Sequence, residues 1–216
     1  GVNQSYCDLL FYVDATPGSS IDDPERPSIP DEGDKEEPKP DEDENVTGTL
    51  AFEDIWPSGG DYDMNDVIVE YERKVYFDKK NIVTKIVDEF TPVHDGATYV
   101  NAFAYQIDAA QIGDKITLPE GAILEKETSS IIVMSNAKQN IGNKYVVTRE
   151  FNGSFLKNQL LSYNPYIIVK YSQGEQNRTE VHLPKHKATA YANQSLIGSN
   201  DDAYYIDRKG AYPFAI

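Results

Sequence analysis

Apolar and polar residues alternate along most of the chain, which is the pattern of β-strands with one buried face. The segment 66–77 is the clearest case, because its apolar residues occupy alternate positions: Val67, Val69, Tyr71, Val75 and Phe77. The polar run 78–81 predicts a turn, and Ile82, Thr84, Ile86 and Phe90 alternate on the expected return strand. Residues 66–90 are therefore predicted to form a hairpin.

Further short segments are rich in Val, Ile, Tyr and Phe and are bounded by Gly, Asn, Asp or Pro. They predict strands at 6–13, 48–53, 98–107, 129–134, 143–151, 165–172 and 179–183. No window has the periodicity of a long amphipathic helix. Many short strands at this spacing predict an all-β fold, a jelly-roll-like β-sandwich of antiparallel sheets.

Composition changes sharply near the N-terminus. Residues 15–48 carry six of the 12 prolines and an acidic run from Asp31 to Glu44. Such a segment has little apolar surface to offset its ordering entropy, and its like charges repel one another. We therefore expect three regions: a strand remnant at 1–14, an acidic Pro-rich linker or loop at 15–47, and a β-sandwich domain at 48–216.

The net charge of −16 restricts the classes of partner. Phosphate groups are bound by clustered Lys and Arg, so nucleic acid is not an expected partner, and neither is direct docking on an anionic membrane. No apolar run approaches the length of a membrane-spanning helix. The chain starts with Gly1 rather than Met and shows no signal peptide, which indicates a mature or trimmed fragment.

One loop carries candidate chemistry. Asp61, Asp63 and Asn65 alternate, Asp66 follows, and Gly59-Gly60 precedes them. Hard cations such as Ca²⁺ take several oxygen ligands from short side chains on a curled loop, so these four residues are candidate calcium ligands. The spacing departs from an EF-hand, because a strand follows the loop. The alternative is that these side chains cap turns through local hydrogen bonds.

The segments 51–57 and 60–71 resemble the signature of the LruC-type domain of surface lipoproteins from Bacteroides-like bacteria. Later segments agree in order with this family: 96–103, 163–168, 180–184, 197–202 and 212–216. The stretch 6–17 is similar to the end of a calcium-associated module that often precedes the domain. The family tends to have Gly and Trp where this chain has Ala102 and Phe214, and both changes look like packing changes.

The resemblance implies an exported protein, anchored to the outer membrane through a lipid outside these 216 residues and often described as an adhesin. It supports Ca²⁺ at Asp61, Asp63, Asn65 and Asp66 as a structural ion. It implies no catalytic residues, and the expected partner is an extracellular protein or glycan. The sequence does not decide whether Asp201 and Asp202 complete the cation site or cap a turn.

Enzyme signatures are weak in this sequence. The three His residues are scattered, and none belongs to a zinc-protease or serine-hydrolase motif. The prediction is a non-catalytic adhesion module. The alternatives are a carbohydrate-binding module, with Trp56 as a possible ligand surface, and a component of a glycan-active hydrolase, whose two carboxylates the sequence cannot locate.

Overall fold

Ten β-strands are present in the computed structural model, which describes residues 42–57, 61–153, 155–197 and 213–216. The strands are Glu42–Phe52 (β1), Val67–Phe77 (β2), Val83–His94 (β3), Ala102–Gln106 (β4), Lys115–Thr117 (β5), Ile123–Glu125 (β6), Ser130–Met134 (β7), Tyr145–Glu150 (β8), Asn164–Ile168 (β9) and Glu180–His182 (β10). The remaining regular structure in these residues consists of short 3₁₀ turns. The described part of the chain contains no helix that is long and apolar enough to cross a membrane.

The strands form two antiparallel sheets of five. One sheet has the order β1-β2-β3-β8-β5, and the other has the order β10-β9-β4-β7-β6. Residues from both sheets meet in the largest core cluster, where the ring of Phe90 lies 5.2 Å from Phe103 and 5.0 Å from Tyr105. The predicted all-β fold with antiparallel sheets packed as a sandwich is confirmed.

The hairpin of β2 and β3 is present, but its return strand differs from the prediction in phase. Ile86 and Phe90 are buried as expected, whereas the buried residue near the turn is Val83 rather than its neighbours Ile82 and Thr84. The register shifts there, because Tyr76 pairs with Lys85 while Phe77 pairs with Val83. This irregularity inserts one extra residue into β3. The alternation of buried and exposed side chains therefore changes phase between Val83 and Ile86.

Strand bounds also differ from the prediction at the N-terminal side. β1 begins at Glu42, so residues 42–47 of the predicted linker are paired with β2. The described residues, from Glu42 onward, belong to one compact unit. The predicted strand remnant at 1–14 and the rest of the linker lie outside the described residues. Strands β5 and β6 were not predicted, since three residues are too few to show a periodicity.

A buried acid joins the two sheets inside the core. Asp88 on β3 accepts hydrogen bonds from Arg73 Nε at 3.1 Å and from the Tyr163 hydroxyl at 2.9 Å. The Arg149 guanidinium lies 3.4 Å away and its side chain is fully buried. The Tyr105 hydroxyl is 3.3 Å from the same carboxylate. Asp88 therefore provides the counter-charge for the buried guanidinium of Arg149 and the partly buried guanidinium of Arg73.

A second buried acid stabilises the end of the other sheet. Glu180 is 2% exposed and accepts four hydrogen bonds, from Arg178 Nε, His182 Nε2, and the backbone and hydroxyl of Thr189, at 2.7–2.9 Å. Arg178 also makes a two-pronged pair with Glu125 at 2.7 and 2.8 Å. Burial opposes ionisation, yet these partners hold the pKa of Glu180 below its ordinary value. This carboxylate is consequently ionised at neutral pH.

Candidate cation site

The loop between β1 and β2 brings an acid at its start close to two acids near its end. β1 ends at Phe52 and β2 begins at Val67, and these two residues are paired. Because the strands are antiparallel, Glu53 just after β1 lies beside the residues just before β2. Single ligand atoms of Glu53, Asp61 and Asp63 all lie within 4.8 Å of one another. We call these three residues the acidic cluster.

Glu53 is the central residue of the acidic cluster. Glu53 is 0% exposed, whereas Asp61 and Asp63 are exposed. Its Oε1 accepts a hydrogen bond of 2.5 Å from Met64 N, but its buried Oε2 has no hydrogen-bond partner. A buried carboxylate oxygen without a partner is costly, because desolvation is not compensated. This oxygen therefore lies where a bound cation would offset the cost.

The backbone of the loop is curled at two positions. Tyr62 and Met64 have φ angles of 60° and 58°, in the left-handed region that non-glycine residues rarely adopt. They alternate with Asp61, Asp63 and Asn65. This conformation packs the Tyr62 ring 5.2 Å from Phe214 and places the Met64 backbone N–H on Glu53.

The other two predicted ligands make different contacts. Asn65 donates a side-chain hydrogen bond to Asp63, and its backbone carbonyl accepts one from Gly96 N at 3.0 Å. Asp66 accepts a hydrogen bond from Asp54 N at 2.8 Å. Neither belongs to the acidic cluster, so their assignment as ligands stays a prediction. Asp201 and Asp202 lie outside the described residues.

Electrostatics at the loop are unfavourable in the absence of a cation. Burial raises the pKa of Glu53 from its ordinary value, and the charges of Asp66, Asp61 and Asp63 add to the rise. Burial also raises the pKa of Asp66, and the neighbouring Asp54 contributes to that rise. These shifts have the sign expected where carboxylates repel one another.

Trp56 does not form the ligand surface that the sequence left open. Its side chain is 5% exposed and belongs to the main core cluster, together with Phe52 and Phe103. The turn at residues 54–57 folds the indole over the end of the core, where burial of its large apolar area is favourable. The assignment of Trp56 as an exposed face for a sugar is therefore wrong.

A groove between the two sheets is lined by aromatic residues, of which Tyr71 is half-buried and Tyr163 is buried. We call it the inter-sheet groove; it encloses about 280 Å³, and its lining includes Tyr71, Arg73, Tyr163, Leu183 and His186. The Arg73 guanidinium lies 3.1 Å from the centroid of the Tyr163 ring. The groove thus combines tyrosine rings with a cation that is already paired to the buried acid.

Prediction from sequence missed Glu53. It follows an apolar strand and precedes a turn, and nothing in its local pattern marks it as a ligand. A usable signal was that the predicted strands 48–53 and 66–77 flank this loop, since antiparallel pairing of the two places residue 53 opposite residue 66. The alternation of Asp61 and Asp63 was informative, since the structure brings both into the acidic cluster.

The chain belongs to the family described as "Domain of unknown function (DUF4842)", which matches residues 81–216. No curated protein and no solved structure matches it. The acidic cluster lies on the N-terminal side of the matched residues.

Proposed function

We propose that this chain is a non-catalytic extracellular binding or adhesion module of the LruC type, from a bacterial surface lipoprotein, and that a structural Ca²⁺ binds its acidic cluster. The observation that carries the metal part is the buried, partnerless Oε2 of Glu53 beside Asp61 and Asp63. The cell-surface part, including a lipid anchor outside these residues, rests on the resemblance of the sequence.

The donor set favours calcium over other metals. Glu53, Asp61 and Asp63 provide only carboxylate oxygens, whereas zinc and copper sites favour His and Cys. Ca²⁺ accepts six to eight oxygens in flexible geometry, so backbone carbonyls and water can complete its shell. Mg²⁺ demands a stricter octahedron, which two exposed loop carboxylates do not impose.

A structural role for the ion follows from its position. The acidic cluster joins the end of β1 to the loop that leads into β2, and Met64 N already donates to Glu53. A cation that neutralises three carboxylates would hold the loop in its curled conformation at one end of the sandwich. Surface modules use such rigid loops to present a binding surface.

The contacts of two histidines are consistent with the non-catalytic part of the proposal. His182 is buried against Glu180 and Asn164, and those contacts explain it as part of the fold. His186 lies at the inter-sheet groove, and its Nδ1 is 3.3 Å from the backbone carbonyl oxygen of Pro184. Turnover of a polysaccharide by the intact chain would contradict the non-catalytic assignment and favour a glycan-active hydrolase component.

Calcium titration calorimetry of the full chain tests the metal part. We expect binding by the wild type and loss of that binding in the double variant Asp61→Asn/Asp63→Asn. The exposed Glu120→Gln, in the turn before β6, is the matched control and should bind as the wild type does. Equal calcium binding by the double variant and the wild type would show that the acidic cluster is not the calcium site.

A second candidate function is glycan binding at the inter-sheet groove, favoured by the half-buried Tyr71 ring in its lining. Flat aromatic faces stack on sugar rings, and Tyr71 is half-buried rather than fully enclosed. On a glycan array, Tyr71→Ala should then lose signal that Glu120→Gln retains. Absence of any glycan signal from the wild type would leave a protein ligand as the proposed partner.

A further inference from the structure

A second set of buried oxygens lies next to the acidic cluster, at the connection between β3 and β4. Asn101 is 0% exposed, and its Nδ2 donates a 2.8 Å hydrogen bond to Asp54 Oδ2, while its Oδ1 is buried without a partner. The Asp95 side chain is also fully buried, and its Oδ2 has no partner either. These two oxygens belong to different residues of one connection. Asn101 contacts Asp54 through its amide nitrogen, and burial together with the charge of Asp54 raises the pKa of Asp95.

The positive charge near these groups is insufficient to balance them. Lys138 Nζ lies 3.7 Å from Asp95 Oδ1, but the lysine side chain is 52% exposed and also donates to the backbone carbonyl of Ala97. Asp95 Oδ1 is further bonded to Ala97 N at 3.1 Å. The lysine and the backbone therefore act on one oxygen of Asp95 and leave the other without compensation.

Asp54 links this second set to the first. Its side chain accepts from Asn101, and its backbone N–H donates to Asp66, which precedes β2. The two loops also meet directly, because Gly96 N donates to the Asn65 carbonyl. The close approach matters, since a Cβ on Gly96 would lie 2.6 Å from Asn65 Oδ1.

We infer that Asp54, Asp95 and Asn101 form a second binding site for a divalent cation, which fixes the β3–β4 connection to the β1–β2 loop. Two carboxylates and one amide oxygen form an oxygen-only donor set of the kind that Ca²⁺ accepts, with water completing the shell. The choice of Ca²⁺ rests on the proposed function, whereas the site itself rests on the unpartnered oxygens of Asp95 and Asn101. The chain would then hold two ions at one end of the sandwich.

Native mass spectrometry of the full chain, exchanged into volatile buffer with Ca²⁺, measures the number of ions bound. The wild type should hold two. Asp95→Asn should hold one, and Asp61→Asn/Asp63→Asn should also hold one, because each change removes a different site. Glu120→Gln should hold two, and circular dichroism checks that each variant retains its strands.

Other numbers of bound ions distinguish the second site from the acidic cluster. One ion in the wild type that is lost in Asp61→Asn/Asp63→Asn but kept in Asp95→Asn would overturn the second site and leave the proposed function intact. One ion in the wild type that is lost in Asp95→Asn but kept in Asp61→Asn/Asp63→Asn would support the second site and overturn the acidic cluster as a calcium site. No ion in the wild type overturns both. Since the wild-type count needs no substitution, a variant that fails to fold does not remove the test.

Discussion

Replacement of Glu53 by Gln should have opposite effects on the metal-free and the calcium-bound protein. The amide keeps an oxygen to accept from Met64 N, and it can donate to the carboxylates of Asp61 and Asp63 instead of repelling them. Glu53→Gln should therefore stabilise the metal-free chain. In the calcium-bound chain the same change removes a charged ligand, so the stabilisation that calcium provides should fall.

The structure sets the size of both effects. Two unit charges 4 Å apart repel by about 4 kcal/mol at an effective dielectric constant of 20, and solvent at the exposed aspartates reduces this to roughly 1 kcal/mol per pair. Removal of Glu53's two pairs should thus stabilise the metal-free chain by about 1–2 kcal/mol. A site saturated at 100 times its Kd adds about 2.7 kcal/mol, and a 100-fold weaker site adds only about 0.4 kcal/mol at the same concentration.

Urea denaturation of both proteins, in EDTA and in Ca²⁺, measures these differences. The exposed Glu120→Gln serves as the control for removing one negative charge. It should change the free energy of unfolding by no more than about 0.5 kcal/mol in either condition. Destabilisation of the metal-free chain by Glu53→Gln would contradict charge repulsion in the acidic cluster. A calcium-dependent stabilisation equal to that of the wild type would contradict Glu53 as a calcium ligand.

Two predictions concern the buried acids of the sandwich. Glu180→Gln should destabilise the protein by about 3 kcal/mol in urea denaturation at pH 7, the lower end for breaking a buried pair, because Arg178 keeps Glu125. The folded-state pKa of Glu180 is lowered, so its ionisation contributes to stability above pH 4.5, and that contribution is lost as the pH falls through the folded-state pKa. Glu180→Gln should therefore lose less stability on acidification than the wild type. An equal loss in both proteins would contradict this. Asp88→Ala should lower the free energy of unfolding by about 3–5 kcal/mol, because it leaves the buried Arg149 guanidinium and the partly buried Arg73 guanidinium without their counter-charge. A loss below about 1 kcal/mol would show that the network contributes little.

The fold could be predicted from sequence because alternation is a local property. The pattern at 66–77 indicated which side chains of β2 face the core, and the structure buries Val67, Val69, Val75 and Phe77 accordingly. The phase of the return strand could not be predicted, since the irregularity beside Phe77 arises from pairing between strands. The three-residue strands β5 and β6 are likewise defined by their neighbours.

The candidate site, like the fold, could be predicted from sequence only in part. Asp61 and Asp63 were identifiable because their spacing within one loop is itself the signal. Glu53 was not, because its proximity to them depends on the pairing of β1 with β2. Trp56 was misjudged for a related reason: residue type indicates a flat ring, but only the packing of the turn determines that the ring is buried.

Calcium binding at the acidic cluster is tested most directly by a thermal melt of the intact chain in EDTA and in excess Ca²⁺. We expect an increase in stability of about 2.7 kcal/mol at 100 times the Kd, which corresponds to a rise of roughly 5–11 °C in Tm for a domain of this size. Asp61→Asn/Asp63→Asn should lose most of that rise. A wild-type Tm that is the same in EDTA and in Ca²⁺ would contradict the central claim that the acidic cluster is a calcium site.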